Sequence, residues 1–394
     1  MDKLQNKIPA VRFPEFEGDW ELIHGNELFE KISNKNHNSD LPILAISQEF
    51  GAIPRYLINY KISVTKKSVS SYKVVEKGDF IISLRSFQGG IEYSNYKGIC
   101  SPAYIILRPT IELEADFYKS HFKSYRYIQQ LQSKLEGIRD GKMISYKYFS
   151  EIKLPFPTLP EQKKIAHFFS IVDKKLTQLQ EKKTALELYK KGIMQQIFSQ
   201  QIRFKDDNGA DFSEWEVKTL GEVCEVFSGG TPTSSNKSYY KGDIPFIGSG
   251  NISDNEVFQF ITQEALNNSS SKMVEVGDLL YALYGGTSGE VSISKIKGAI
   301  NQAVLCIKTS ENKQFLYQFL KFDKERIITT FLQGGQGNLS AQIIKNLKIK
   351  FPSKREQNKI ANFLTKIDDK INTVNEKIEQ TKAYKKGLLQ RMFV

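Results

Sequence analysis

Cysteine and histidine are scarce in this sequence, with three and four residues among 394. Cys100, Cys224 and Cys306 lie far apart, without a C-x-x-C pair or a neighbouring histidine, so a zinc site is not indicated and the thiols read as buried. His24, His37, His121 and His167 are scattered too, which argues against a histidine metal centre or nucleophile relay. No apolar run approaches the roughly 18 residues that a spanning helix needs, and the opening MDKLQNKIPAVRFPEF lacks the apolar core of a secretory signal. These absences lead to the expectation of a cytoplasmic chain with no membrane contact. Disorder is excluded by a hydrophobic content of 40% and a charged content of 25%, and the length calls for more than one core.

The signatures of catalysis are missing as well. A base methyltransferase needs a glycine-rich cofactor turn and a [DNS]-P-P-[YFW] motif. The nearest approach, Ser101-Pro102-Ala103-Tyr104, lacks the second proline, and no F-x-G-x-G turn precedes it. Nuclease-like sets can be drawn from Asp207, Glu216 and Lys218 or from Asp140, Glu151 and Lys153, but each fails in the other half of the chain. Neither Gly285-Gly286-Thr287-Ser288-Gly289 nor Ser228-Gly229-Gly230-Thr231-Pro232 runs on into the G-K-[ST] of a phosphate-gripping loop. The chain therefore reads as non-catalytic.

What the sequence does have is an internal repeat. Ile152 to Phe198 aligns without a gap on Leu347 to Phe393 at an offset of 195 residues, with 19 identities in 47 positions. The segments before each copy echo one another more weakly: VRFPEFEGDWE with IRFKDDNGADFSEWE, VVEKGDFIISL with MVEVGDLLYAL, and KGICSPA with KGAINQA. The resulting division is 1–158, a helix at 159–200, 201–352, and a second helix at 353–394. The net charge of +12 follows this division: 1–159 carries +4, 160–200 carries +4, 201–349 carries -2 and 350–394 carries +6. The total suggests a polyanionic partner, yet most of the excess sits on the two short helical segments, which suggests that another protein helps to hold it.

Each helix has a start signal, Thr158 with Glu161 and Ser353 with Glu356, in the spacing of a capping box. Apolar residues then recur at spacings of four and three: Ile165, Phe169, Val172, Leu176 and Leu179, then Leu186, Ile193 and Ile197 in the first helix, and Ile360, Leu364, Ile367, Ile371 and Val374, then Ile378, Leu388 and Met392 in the second. This is a heptad seam over about five heptads. One such helix would simply cover its own domain; two matched copies favour pairing with each other. Lys183, Lys190, Thr381 and Lys385 interrupt the seam, so water or a partner can reach that stretch.

The segments between read as mixed and strand-rich, an α+β class. Strands are predicted at 79–84, 103–107, 278–283 and 303–307, and helices at 116–137 and 313–332. Loops rich in Gly, Ser, Thr, Asn and Tyr can approach DNA and offer donors and acceptors to phosphates and base edges. In the first half these are 83–90, with Arg85, Ser86 and Gln88, and 138–145, with Lys142; Ser101 stands beside them. Arg85 is the foremost base reader by type, since arginine can hold guanine O6 and N7 together. In the second half the candidates are Ser228, Thr231 and Thr233 in one loop, Tyr281, Tyr284, Thr287 and Ser288 in another, then Asn301 and Gln302, and finally Gln336 and Asn338. As ordinary inter-strand turns, many of these residues would have no contact with a ligand.

The pattern L-P-E-Q-x-K-I-A-x-F-F-x-x-x-D-x-K at Leu159 to Lys175, looser at Lys354 to Lys370, resembles the repeated helical region of type I restriction-modification specificity subunits. The runs GGTPTSSNKSYYKGDIPFIGSGNI, YALYGGTSGEVSISKIKGAINQAV and GGQGNLS are similar to their target recognition domains. The resemblance spans essentially the whole chain, with two departures: Lys354-Arg355 at the second helix start, and Ser101-Pro102 where the second half has Asn301-Gln302. It implies two recognition domains, separated by two long helices that pair as an antiparallel coiled-coil spacer. It also implies a non-catalytic subunit that reads a bipartite asymmetric site in double-stranded DNA. Two modification subunits, which use S-adenosylmethionine to methylate adenine N6, would dock on the helices, and restriction subunits using ATP and magnesium would join for cleavage. The alternatives are a structural coiled-coil scaffold without sequence reading, and a stand-alone DNA-modifying enzyme.

Overall fold

Alternation of short β-branched runs with Gly, Asn and Ser turns gives strands of two to six residues, and the heptad segments give two long helices, Leu159–Phe198 and Lys354–Arg391. The computed structural model describes residues 7–38, 40–58, 69–83, 90–133, 144–332 and 338–394. It forms two compact units: Met1–Glu181 with Asn375–Val394, and Lys182–Val374. The division falls inside both long helices, so each unit holds the start of one and the end of the other.

The first unit contains β1 (Glu21–His24), β2 (Phe29–Ile32), β3 (Leu44–Ser47), β4 (Gly51–Pro54), β5 (Lys73–Val75), β6 (Phe80–Ile82), β7 (Glu92–Tyr93), β8 (Gly98–Cys100), β9 (Ile105–Pro109) and β10 (Lys153–Phe156). The second contains β11 (Glu216–Thr219), β12 (Cys224–Ser228), β13 (Ile244–Ile247), β14 (Phe260–Ile261), β15 (Lys272–Val274), β16 (Leu279–Ala282), β17 (Val291–Ile293), β18 (Gly298–Ile300), β19 (Val304–Thr309) and β20 (Lys348–Phe351). The order β2-β9-β6-β7 in one reappears as β12-β19-β16-β17 in the other, and the pair β1-β10 as β11-β20. The second sheet, β14-β13-β18-β15, has its match in the pairs β3-β4 and β5-β8, joined by a parallel bridge between Ile43 and Ile99. Weak sequence similarity thus hides one strand plan used twice.

Burial explains why the plan holds. In the first unit Trp20, Phe29, Phe80, Phe117, Tyr118, Phe122 and Phe149 form an aromatic core into which Ile165, Ala166, Phe169, Met392 and Phe393 pack. In the second, Phe315, Leu316, Leu320, Leu279 and Leu305 receive Ile197, Phe198, Ile360, Leu364 and Ile367. The helix segments run antiparallel within each unit: Phe169 stacks on Phe393 with centroids 6.0 Å apart, and Asp173 pairs with Lys385. Fully burying one such side chain contributes about 1.5–3 kcal/mol.

Two expectations need correction. The helix expected at 116–137 is two helices, Ala115–His121 and Tyr125–Ser133, because the chain turns at Phe122–Ser124, where Ser124 Oγ accepts from the Tyr127 N–H at 3.4 Å. Its counterpart Lys313–Leu332 is continuous. The capping-box glutamates serve another purpose. Ser353 Oγ does accept the Glu356 N–H at 3.4 Å, but the carboxylates of Glu161 and Glu356 are held by arginines, as follows.

Candidate nucleic-acid interface

The E-Q pair at each helix start fastens that helix to its domain. Glu161, almost fully buried, accepts from Arg12 Nε and Nη2 at 2.8 Å each. Gln162 accepts the Glu114 N–H at 2.9 Å and donates to the Pro157 carbonyl at 2.8 Å. In the second unit Glu356 accepts from Arg203 at 3.2 and 2.9 Å, and Gln357 binds the Asn312 N–H at 3.0 Å and the Pro352 carbonyl at 2.9 Å. Trp215 adds its indole N–H to Glu356 at 3.1 Å. A buried carboxylate with a bidentate guanidinium is stable where a lone one is not, which fixes the register of helix against sheet. The echo VRFPEFEGDWE with IRFKDDNGADFSEWE is this clasp, seen from its other side.

Lys190 and Lys385, expected to leave gaps in the seam, are paired. Lys190 Nζ lies 2.6 Å from Asp368 Oδ1, and Lys385 Nζ 2.5 Å from Asp173 Oδ1. Of the seam residues, Ile165, Phe169, Val172, Leu179, Ile360, Leu364, Ile367 and Val374 are buried, while Leu176 and Ile371 are half-buried.

On this frame the second unit gathers its loops at the ends of β12, β13, β16 and β18. Gly229 and Gly230 let the first loop lie flat: a Cβ on Gly229 would stand 1.8 Å from the Ile300 carbonyl oxygen. Ser271 Oγ donates to the Gly230 carbonyl at 2.6 Å. Thr231 Oγ1 donates to Gln302 Oε1, the Asn301 N–H donates to the Ile247 carbonyl at 3.2 Å, and the Leu339 N–H donates to the Leu283 carbonyl at 2.9 Å. Ser228, Thr231, Thr233, Tyr284, Thr287, Ser288, Asn301, Gln302 and Asn338 therefore share one edge, each exposed or half-buried. A groove of about 510 Å³ opens there, lined by Thr231, Lys237, Tyr240, Phe258, Gln259 and Asn301 among others. Such a rim offers side-chain amides, hydroxyls, an ammonium and apolar faces, the groups that read base edges and thymine methyls.

Tyr281 leaves this set. Its ring is fully buried in the core, and burial pushes its phenol well above the ordinary value, so it cannot reach a ligand at the edge. Ser101 is half-buried, and its Oγ accepts the Ala103 N–H at 3.3 Å, just as Asn301 Oδ1 accepts the Ala303 N–H at 2.9 Å. The two sequences thus build the same turn with different side chains. Arg85, Ser86, Gln88, Lys142 and Gln336 lie outside the described residues. Sequence reasoning missed Phe258, nearly bare at 89% exposure, and the groove behind it. The alternation of aromatics in VFQF was the available signal.

Burial pushes the Cys100 and Cys306 thiols up to about 12, which makes them inert. Among the described residues no group of histidine, cysteine, aspartate or glutamate could hold a metal ion, and no helix is long and apolar enough to cross a membrane.

A family model described as the type I restriction modification DNA specificity domain matches residues 18–188 and 212–383. The chain belongs to that family. It is 24% identical to the type I restriction enzyme MjaVIII specificity subunit of Methanocaldococcus jannaschii over 97% of this chain and 93% of that one. It is also 25% identical to the Escherichia coli EcoR124I/EcoR124II specificity subunit over 64% of each. The solved S subunit from M. genitalium has the same fold, with a TM-score of 0.57 and 15% identity over 98% of this chain and 99% of that one. A chain from a study of assembly and conformational transition in the type I R-M system gives a TM-score of 0.60 at 17% identity, over 95% and 97%. This specificity subunit thus carries its two family matches on the two copies of the strand plan, each with the start of the helix that follows.

Proposed function

We propose that this specificity subunit reads a bipartite, asymmetric site in double-stranded DNA, one half with each recognition domain (1–158 and 201–352), while its helices (159–200 and 353–394) receive two modification subunits. Those subunits bring S-adenosylmethionine and methylate adenine N6; restriction subunits with ATP and magnesium join for cleavage. This chain holds the DNA and supplies no chemistry of its own. The observation that carries the reading is one strand plan built twice with unlike residues at matching loop positions, such as Ser101-Pro102 against Asn301-Gln302. Like scaffolds with unlike loops suit two different half-sites. The excess of lysine on the helical segments suits partners that share the DNA backbone charge.

Selection from a random pool of duplex oligonucleotides by the chain with its modification subunit tests this. The expected result is a two-part motif with a fixed unread gap. A pool without any motif would leave a coiled-coil scaffold as the better account, and methyl transfer by the chain alone would make it an enzyme.

A further inference from the structure

The surface of the first unit that corresponds to the Gly229–Thr231 loop is not one of those singled out from the sequence. Ile32 on β2 stands opposite Ile106, which stands opposite Ile81; Phe227 on β12 stands opposite Cys306, which stands opposite Leu280. Ile32 and Phe227 are therefore equivalent, and Ser33 to Asn38 occupies the place of Ser228 to Thr233. Backbone contacts agree. The Asn34 carbonyl accepts the Val74 N–H on β5 at 2.8 Å, much as the Gly230 carbonyl accepts from Ser271 beside β15. The stretch is exposed save for a half-buried His37, and its turn is held by the Asn36 N–H donating to Asn34 Oδ1 at 2.8 Å.

Its charge sets it apart from the glycine loop. Lys31 and Lys35 are exposed and form no ion pair among the described residues, and Lys73 lies beneath, 8% exposed, donating from Nζ to the Tyr104 carbonyl at 2.7 Å. Among the described residues no carboxylate pairs with any of the three, and burial, with Lys31 and Lys35 adding to it, holds the Lys73 ammonium below its usual range. Like charges gathered without a counter-ion call for an anion from outside.

We propose that Lys31 and Lys35, with the Asn34–Asn38 turn and with Lys73 adding its charge from beneath, form the grip of the first unit on the phosphate backbone of double-stranded DNA. This rests on the DNA-reading function proposed above and adds the place of contact. The test is a salt titration of duplex binding by the full chain with its modification subunit, comparing wild type with a Lys31→Ala, Lys35→Ala double variant. Two lost phosphate contacts should lower the slope of log K against log salt by about 1.8 and weaken binding at 0.1 M salt on the order of a hundredfold. A Lys147→Ala, Lys153→Ala variant, exposed lysines elsewhere on the same unit, should keep the wild-type slope. An unchanged slope in the first variant, or an equal loss in the second, would overturn the assignment. Phosphate contacts carry no sequence information, so the loss should appear on random duplex too. A wild type that binds random duplex with the lysine-dependent slope, yet selects no motif, would leave the grip standing and remove the sequence-reading function instead.

Discussion

The two units share their clasps and differ in what fills the space beside them. Ser120-His121 in the first corresponds to Gln318-Phe319 in the second, since Glu114 and Asn312 occupy the same place on the clasping glutamines. Gln318 is fully buried and donates from Nε2 to Asp368 at 2.7 Å, so the Lys190–Asp368 pair is enclosed, with Lys190 at 9% exposure. Ser120 is too short to reach. A cavity of about 700 Å³ stands there, lined by Ser120, Lys123, Phe169, Asp173 and Lys385 among others, and the matching Lys385–Asp173 pair is open to water. At the next position Phe319 lies 5.3 Å from Phe198, whereas His121 lies 5.5 Å from Phe393, and among the described residues neither of its ring nitrogens has a hydrogen-bond partner. The frame is repeated; the infill is not. Chemistry that sets helix register is retained in both copies, while packing beside it has drifted.

The largest effect should come from opening a clasp. Arg12→Ala strands the buried Glu161 carboxylate and should cost the first unit about 3–5 kcal/mol. Arg203→Ala should cost the second unit less, because Trp215 still donates to Glu356. The sequence has two tryptophans, Trp20 and Trp215, one in each unit. Urea unfolding followed by fluorescence in Trp20→Phe and Trp215→Phe backgrounds therefore reports each unit separately. Equal losses would remove the distinction between the clasps.

Next comes the enclosed ion pair. Gln318→Ser, which copies the first unit, should destabilise the second by about 1.5–3 kcal/mol through loss of a bond to a charged group. Ser120→Gln should recover part of that in the first, seen as a rise in its urea midpoint. A fall would mean that the cavity shape does not admit the longer chain.

His121 gives a pH-dependent contrast. Burial pushes its imidazole down to about 3 from the ordinary 6.5, so between those values the unfolded chain binds a proton that the folded one excludes. The first unit should then lose stability as pH falls from 6.5 towards 3, by up to about 1.4 kcal/mol per pH unit from this group. His121→Phe, the second unit's choice, should abolish that share, leaving wild type and variant closest near pH 7.5 and furthest apart in acid. Parallel curves would show that His121 protonates freely in the fold.

The smallest effect is expected from Lys385→Ala. Its pair is solvent-exposed and should contribute less than about 1 kcal/mol, against about 2 for Lys190→Ala in the same assay.

Much of this was legible in the chain. The gapless repeat marked both helices, and β-branched runs marked strands within a residue or two, because periodicity and turn residues are local signals. The Arg12 and Arg203 clasps were visible only as echoes, since partners 149 and 153 residues apart are joined by topology. Tyr281 fell wrongly among surface residues because a loop-like neighbourhood, Tyr-Gly-Gly-Thr, begins just after a buried strand. Asn34–Asn38 carried no such signal because its side chains share nothing with Gly229–Thr233 except strand register.

The most direct test of two readers on one frame is methylome sequencing of cells that make this chain with its modification subunit, comparing wild type with a Thr231→Ala, Asn301→Ala, Gln302→Ala variant. These residues lie on the loop edge of the second unit only. The expected result is a two-part methylated motif in wild type, and in the variant a change confined to one half with the other half and the gap retained. Changes in both halves at once, in a variant that unfolds like wild type, would contradict the account.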